Sequence, residues 1–336
     1  MGSLSTTPET CYAYRVYRWW CDTFPQAEFT YINAGIGATD SQFGCARAEA
    51  DLLQYQPDFV VVDFSVNDLA TEHFLETYEG VVRKLCYGAK EPAVLLLHNV
   101  YYDSGYSAQL FHAKVARYYE LPAVSMQSTL YQELLAGRIA NRDVTPDDLH
   151  PNDVGHELVA SAIIYALEQI RRDLAEGNVV EEWETLRKKP LTLNRYEDSV
   201  RYQKDSEVYE SDGFVPDEEP QKGITDIFKK GWTAGKQGDR ITFEIEGSCI
   251  GIQYRKTIHH PAPVAEVVVD GDREHAHRLD ANFSETWGDK LQLDTVLEHG
   301  ENKRHQVEIT LVETHEEDKL PFYLSAVIGS GRKQSE

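Results

Sequence analysis

The tetrad Asp147-Asp148-Leu149-His150, followed at once by Pro151-Asn152-Asp153-Val154-Gly155-His156, holds the residues best spaced for chemistry. A carboxylate three positions before a histidine, in a Pro-Asn loop that opens an amphipathic helix, suits the acid–base half of a serine-hydrolase triad. His150 would keep one ring nitrogen free to take a proton. Asp147 would accept from the other, fixing the tautomer and stabilising the imidazolium as it forms. The start of a helix disfavours a charged imidazole and Asp147 offsets that, which leaves a neutral base near physiological pH. Acyl transfer also builds charge on a carbonyl oxygen, so neutral donors must be aimed at it. Asn67, just past an apolar run, is such a donor, and the glycine-rich turn at 33–40 lets backbone N–H groups approach a substrate.

These residues need a frame. Helical spacing runs over 10–24, where Tyr12, Val16, Trp19 and Trp20 share a face, and over 42–54, 75–87, 108–119, 129–137 and 154–174. Strand-like runs fall at 28–32, 59–64, 93–98 and 123–125, those at 59–64 and 93–98 reading as buried on both faces. Alternating strands and helices predict a parallel sheet covered on both sides, with ligands at the carboxyl ends of its strands. Both 33–40 and 65–68 fall there. From about residue 176 the texture changes. A charged, proline-containing linker is expected over 179–195, dividing an α/β domain at 1–178 from a second domain at 196–332. Runs at 240–245, 249–254, 265–269, 306–312 and 322–328, separated by glycine turns, predict an antiparallel β-sandwich, with 210–222 as an exposed loop.

Composition bounds the partners. The 336 residues suffice for about two domains, and 41% hydrophobic with 26% charged residues fits a globular chain. A net charge of −23 argues against nucleic acid or an anionic membrane surface, since like charge repels phosphate. No apolar run approaches the roughly 20 residues of a membrane span. Five cysteines, widely spaced and without a C-x-x-C pair, read as reduced packing residues of a cytoplasmic protein. Neither cofactor nor metal is expected: His259-His260 and His275-Ala276-His277 lack acid or cysteine at ligand spacing and read as solvated loops.

Three segments, in order, resemble signature blocks of the SGNH (GDSL-type) hydrolase superfamily. Asn33-Ala34-Gly35-Ile36-Gly37-Ala38-Thr39-Asp40-Ser41 is similar to the second block, Val60–Asp68 with Asn67 to the third, and Asp147-x-x-His150 to the fifth. The resemblance covers roughly residues 7–174. It implies a flavodoxin-like three-layer α/β/α sandwich, with an oxyanion hole built from the Ala38 backbone N–H and the Asn67 side-chain amide. Asp147 would be the acid and His150 the base, with Gly37 and Asp68 beside them as binding residues. Ala38 stands where that family usually has glycine, and alanine can serve there if its φ is negative.

The family's first block, which carries the attacking serine after a central strand, has no counterpart here. Counting back places that serine upstream of Met1. Ser3, in Gly2-Ser3-Leu4, echoes the motif with no strand to position it. The resemblance therefore implies an esterase, plausibly a carbohydrate acetylesterase, that is poorly active or inactive as the chain stands. A non-catalytic glycan-binding protein is the rival. A flavodoxin-like nucleotide binder fits worse, because the 33–40 turn lacks a phosphate-loop Lys-Ser/Thr. Trp232 and Trp287 could stack on sugar rings or pack in the sandwich core. His156 reads as structural, and His98-Asn99 as either cleft-lining or packed.

Overall fold

The computed structural model describes residues 8–178 and 187–332. It forms two compact units. One comprises the chain up to Ser41 together with Leu52–Thr192, and the other comprises Gln42–Asp51 together with the chain from Leu193 onward.

The first unit is an α/β layered fold around a parallel sheet. In chain order its elements are α1 (Tyr12–Thr23), the start of α2 (Ser41–Asp51), β1 (Phe59–Val62), α3 (Glu72–Cys86), β2 (Ala93–His98), α4 (Gln109–Tyr118) and β3 (Ala123–Ser125). Then come α5 (Leu130–Leu135), α6 (Asn141–Val144) and α7 (Asp153–Ala175). The strands run parallel in the order β1-β2-β3. Period-two alternation along β2 splits its side chains between two layers. Leu95 and Leu97 join Val16 of α1 and Val159, Ala160 and Ile163 of α7 in one core. Each fully buried leucine contributes roughly 2 kcal/mol. His98 turns the other way, towards the layer of α3 and α4, where its ring lies 6.0 Å from that of His112.

Two expectations for the sheet need correction. Residues 28–32 form no strand. A strand exists only beside a hydrogen-bonding neighbour, and among the described residues none pairs with this run or with the outer edge of β1. At that edge β1 is only half-buried, Val60 and Val62 inside and Phe59 and Val61 partly covered.

The second unit is an antiparallel β-sandwich. Its strands are β4 (Val200–Tyr202), β5 (Tyr209–Asp212), β6 (Val215–Pro216), β7 (Trp232–Ala234), β8 (Arg240–Gly247), β9 (Cys249–Lys256) and β10 (Val264–Val269). They continue with β11 (His277–Asp280), β12 (Lys290–Leu297), β13 (Lys303–Glu313) and β14 (Phe322–Ser330). One sheet runs β11-β10-β13-β8-β5. The other runs β12-β9-β14-β7-β6, with β4 also on β14. Alternation is cleanest in β8, where Ile241, Phe243 and Ile245 point inward and Arg240, Glu244 and Glu246 point to solvent. The stretch 210–222, expected as a loop, instead carries β6 and most of β5, because its backbone pairs with β7 and β8. Trp232 lies wholly in the sandwich core, against Phe243 and Tyr209. Trp287 is 58% exposed.

Candidate active site

The loop before α7 is organised by one carboxylate. Asp147 Oδ2 lies 2.8 Å from Nδ1 of His150. Its Oδ1 accepts the backbone N–H of His150 at 2.8 Å and that of Leu149 at 3.1 Å. The same side chain therefore orients both the ring and the backbone of the histidine. Burial raises the Asp147 pKa, but the hydrogen bonds from the His150 backbone and ring and from Leu149 outweigh that and hold it below the usual carboxylate range. Thr145 Oγ1 donates to the His150 carbonyl at 2.8 Å. The His150 ring is about a third exposed, and among the described residues no hydroxyl is hydrogen-bonded to its Nε2.

Neighbouring residues seat this loop. Asp148 adopts a left-handed φ of 70°, which aspartate tolerates better than most residues. Its carboxylate makes a two-point pair with Arg142, 2.8 Å on each side, and its carbonyl accepts the Tyr102 N–H at 2.7 Å. Asn152 caps α7 by accepting the N–H groups of Val154 and Gly155 at 3.1 and 3.0 Å. Gly155 is required because a Cβ there would sit 2.2 Å from the Val144 carbonyl oxygen. His156 is buried, with Nδ1 accepting the Tyr12 N–H at 3.4 Å, so its role is structural.

The two expected donors, Ala38 and Asn67, lie on two turns. Asn67 ends a tight turn in which its N–H and that of Asp68 both reach the Phe64 carbonyl, at 2.9 and 2.8 Å. Among the described residues its side-chain amide makes no hydrogen bond, and the residue is partly exposed. In the other turn Gly37 and Ala38 are both exposed, and Thr39 Oγ1 closes it by donating to the Ile36 carbonyl at 2.7 Å. The expectation of a negative φ at Ala38 is overturned: φ is 55°. That conformation costs alanine about 1 kcal/mol, which explains why glycine would be the easier residue.

A second correction concerns Asp68. Expected as a binding residue, it is only 1% exposed. Its Oδ1 accepts the Ser41 N–H at 2.9 Å and its Oδ2 lies 3.0 Å from His112 Nε2. It is a strut between the turn carrying Ala38 and the turn carrying Asn67. The segment after β2 joins the remaining parts: Ala108 N–H reaches the Ser65 carbonyl at 2.7 Å, and Tyr102 holds Asp148. The asparagine turn and the histidine loop are thus tied to one short stretch at the carboxyl ends of β1 and β2.

Sequence reasoning missed Asp63 and His112. Asp63 is held by Tyr12 Oη and Asn99 Nδ2, each donating to its Oδ2 at 2.9 Å, and burial raises its pKa. An acid closing the apolar run Val60-Val61-Val62 was the available signal. His112 had none, because its partner lies 44 residues away.

His98 and Asn99 prove packed rather than cleft-lining. Burial, and then the neighbouring His112, lower the His98 pKa to about 3 from an ordinary 6.5. Between those values the unfolded chain binds the extra proton. The stability that neutral His98 confers is therefore complete above about 6.5 and lost as pH falls through about 3. Asp68 acts oppositely: burial raises its carboxyl to about 7, so its contribution is present below 3.8 and lost as pH rises through about 7. Unfolding free energies of wild type and His98→Phe should therefore converge, or cross, as pH is lowered from about 7 to about 4. A difference that is flat with pH would show that His98 is not held neutral.

No metal-ligating group of histidine, cysteine or acid residues occurs among the described residues, and no described helix is long and apolar enough to cross a membrane. The GDSL-like lipase/acylhydrolase family matches residues 3–158. Two crystal structures of a two-domain esterase active on acetylated mannans are each 62% identical to the chain. The one co-crystallised with mannopentaose has a TM-score of 0.94, with 99% of this chain and 88% of that chain covered. The other has a TM-score of 0.96, with 99% and 89% covered. No curated protein sequence matches the chain.

Proposed function

This chain belongs to the GDSL-like lipase/acylhydrolase family of carboxylic ester hydrolases, and we propose that it removes acetyl groups from a carbohydrate, with acetylated mannan as the substrate class. The observation that carries this reading is the 2.8 Å contact of Asp147 with His150 Nδ1, on a loop tied to the same segment as the Asn67 turn. His150 takes the proton of the attacking oxygen at Nε2 and returns it to the leaving sugar hydroxyl. Asp147 holds the imidazole in the tautomer this requires. As the carbonyl carbon becomes tetrahedral, the Ala38 N–H and the Asn67 amide receive the oxygen's negative charge. The mannan preference is supported by the 62% identity to the mannan-active esterase.

Ser3 lies outside the described residues, and no described hydroxyl is hydrogen-bonded to Nε2. We propose slow turnover, with His150 acting on water or on a hydroxyl supplied to the site. Acetate release from acetylated mannan and from p-nitrophenyl acetate tests both parts. Slow release unaffected by Ser3→Ala is the expected result. Robust turnover abolished by Ser3→Ala would make Ser3 the nucleophile and overturn the expectation of slow activity. The rival reading is a glycan-binding protein without catalysis. It would be supported by mannan binding that survives His150→Ala with no acetate released by the wild type.

A further inference from the structure

We infer that Asp68 and His112 form a buried positioning pair that aligns the two oxyanion donors, Ala38 and Asn67. The inference rests on the hydrolase reading above and extends it to residues behind the site. Asp68 directly follows Asn67 in sequence and also grips the backbone of Ser41, three residues beyond Ala38. It is thus the side-chain link between two turns that must present their donors to one oxygen. The link is itself braced. Asp68 Oδ2 meets His112 Nε2 at 3.0 Å, both side chains wholly buried. The His112 ring lies flat on Tyr78, centroids 3.6 Å apart and planes 3° from parallel. Ser41 is pinned a second time through its hydroxyl, 2.6 Å from Thr77 Oγ1. Two sides of the Ala38 turn's base are therefore anchored to the α3–α4 layer.

A surface turn needs no such brace. A buried carboxylate is costly to desolvate, and here it is committed to one backbone N–H and one imidazole. Oxyanion stabilisation demands fixed geometry, since misplacement by about 1 Å costs about a hundredfold in rate. The titratable groups around the pair are Asp63 after β1, His98 of β2, and His73 and Tyr78 of α3. Burial pushes the Asp68 carboxyl up to about 7 and the His112 imidazole down to about 3, so the pair changes charge near neutrality by losing the carboxyl proton.

The test compares Asp68→Ala, Asp68→Asn and His112→Phe with wild type by two independent measurements. The asparagine of Asp68→Asn would keep an oxygen for the Ser41 N–H and an amide for His112 Nε2, so the pairing survives without a titrating group. In amide exchange followed by NMR, Asp68→Ala should speed exchange at Ser41 by about tenfold, the equivalent of one lost hydrogen bond. Asp68→Asn should not. The Ser41 amide shift should titrate with a midpoint near 7 in wild type and stay flat in Asp68→Asn. In acetate release, Asp68→Ala should lower kcat about a hundredfold with KM within about twofold, and Asp68→Asn should restore it while removing the inflection from the pH profile. His112→Phe keeps the stacking on Tyr78 and should show the same direction if Asp68→Ala does not fold. Unchanged Ser41 exchange in a folded Asp68→Ala or His112→Phe overturns the inference, as does Asp68→Asn behaving like Asp68→Ala. If wild type releases no acetate, the hydrolase reading fails and the exchange and shift measurements alone decide whether the pair aligns the turns.

Discussion

Replacing His150 with alanine is expected to lower acetate release at least about a hundredfold, the usual worth of a positioned general base. The expectation is relative to the wild-type chain and holds whether the attacking oxygen belongs to water or to a hydroxyl, because Nε2 must take the proton in either case. Asp147→Asn should be nearly as damaging, and up to about 10⁴-fold where tautomer control dominates. An asparagine amide donating to Nδ1 would force the ring proton onto Nε2 and remove the acceptor. It would not disturb the loop much, since the substituted side chain keeps an oxygen for the N–H groups of His150 and Leu149. The measurement is kcat on p-nitrophenyl acetate and on acetylated mannan, with circular dichroism to show that both variants fold. Retention of the wild-type rate in His150→Ala would remove the imidazole from the mechanism.

The second large effect concerns stability and lies away from the site. Glu79 of α3 is fully buried. It accepts from the backbone N–H groups of Leu191 and Thr192, the latter at 2.8 Å, and from the hydroxyls of Thr192 and Tyr119. Beside it Arg83 donates to the Lys188 carbonyl at 2.8 Å and to Tyr119 Oη at 3.0 Å. Together the two side chains fasten residues 188–192 onto α3 through backbone hydrogen bonds. Glu79→Ala leaves the buried Tyr119 hydroxyl and the part-buried donors of Leu191 and Thr192 without their acceptor, at about 1–3 kcal/mol for a buried donor and less for a part-buried one, so the unfolding free energy should fall by about 3 kcal/mol. Glu79→Gln, keeping one accepting oxygen, should lose less. Urea denaturation reads both. A loss under about 1 kcal/mol in Glu79→Ala, below the cost of even one orphaned donor, would show that this clasp contributes little to the folded state.

Legibility in the sequence followed the range of the interaction. The Asp147–His150 contact is an i, i+3 arrangement within one turn, so its spacing alone announced it. The turn at Asn67 was readable because an Asn-Asp pair after an apolar run is a local turn signal. The strands Ala93–His98 and Ala123–Ser125 appear where expected, and α7 within a residue at each end, since hydrophobic periodicity is also a local signal. The short strand β11 and the longer β12 were not foreseen, because their apolar residues are interrupted by polar ones and their ladders with β10 and β9 form only in the folded chain.

What the chain's order of residues determined by itself was the presence of an acid, a base and an amide donor on loops of an α/β layer, followed by a β-sandwich. These depend on neighbours a few positions apart. Only the tertiary structure decided that Asp68 is buried between Ser41 and His112, that Ala38 takes a left-handed φ, and that residues 28–32 do not become a strand. The reason is that such outcomes are set by partners far away in the chain. His112 lies 44 residues from Asp68 and Asp63 lies 51 from Tyr12, while 28–32 finds no ladder neighbour among the described residues. Burial and hydrogen-bond pairing are properties of the packed chain, so no window of the sequence contains them.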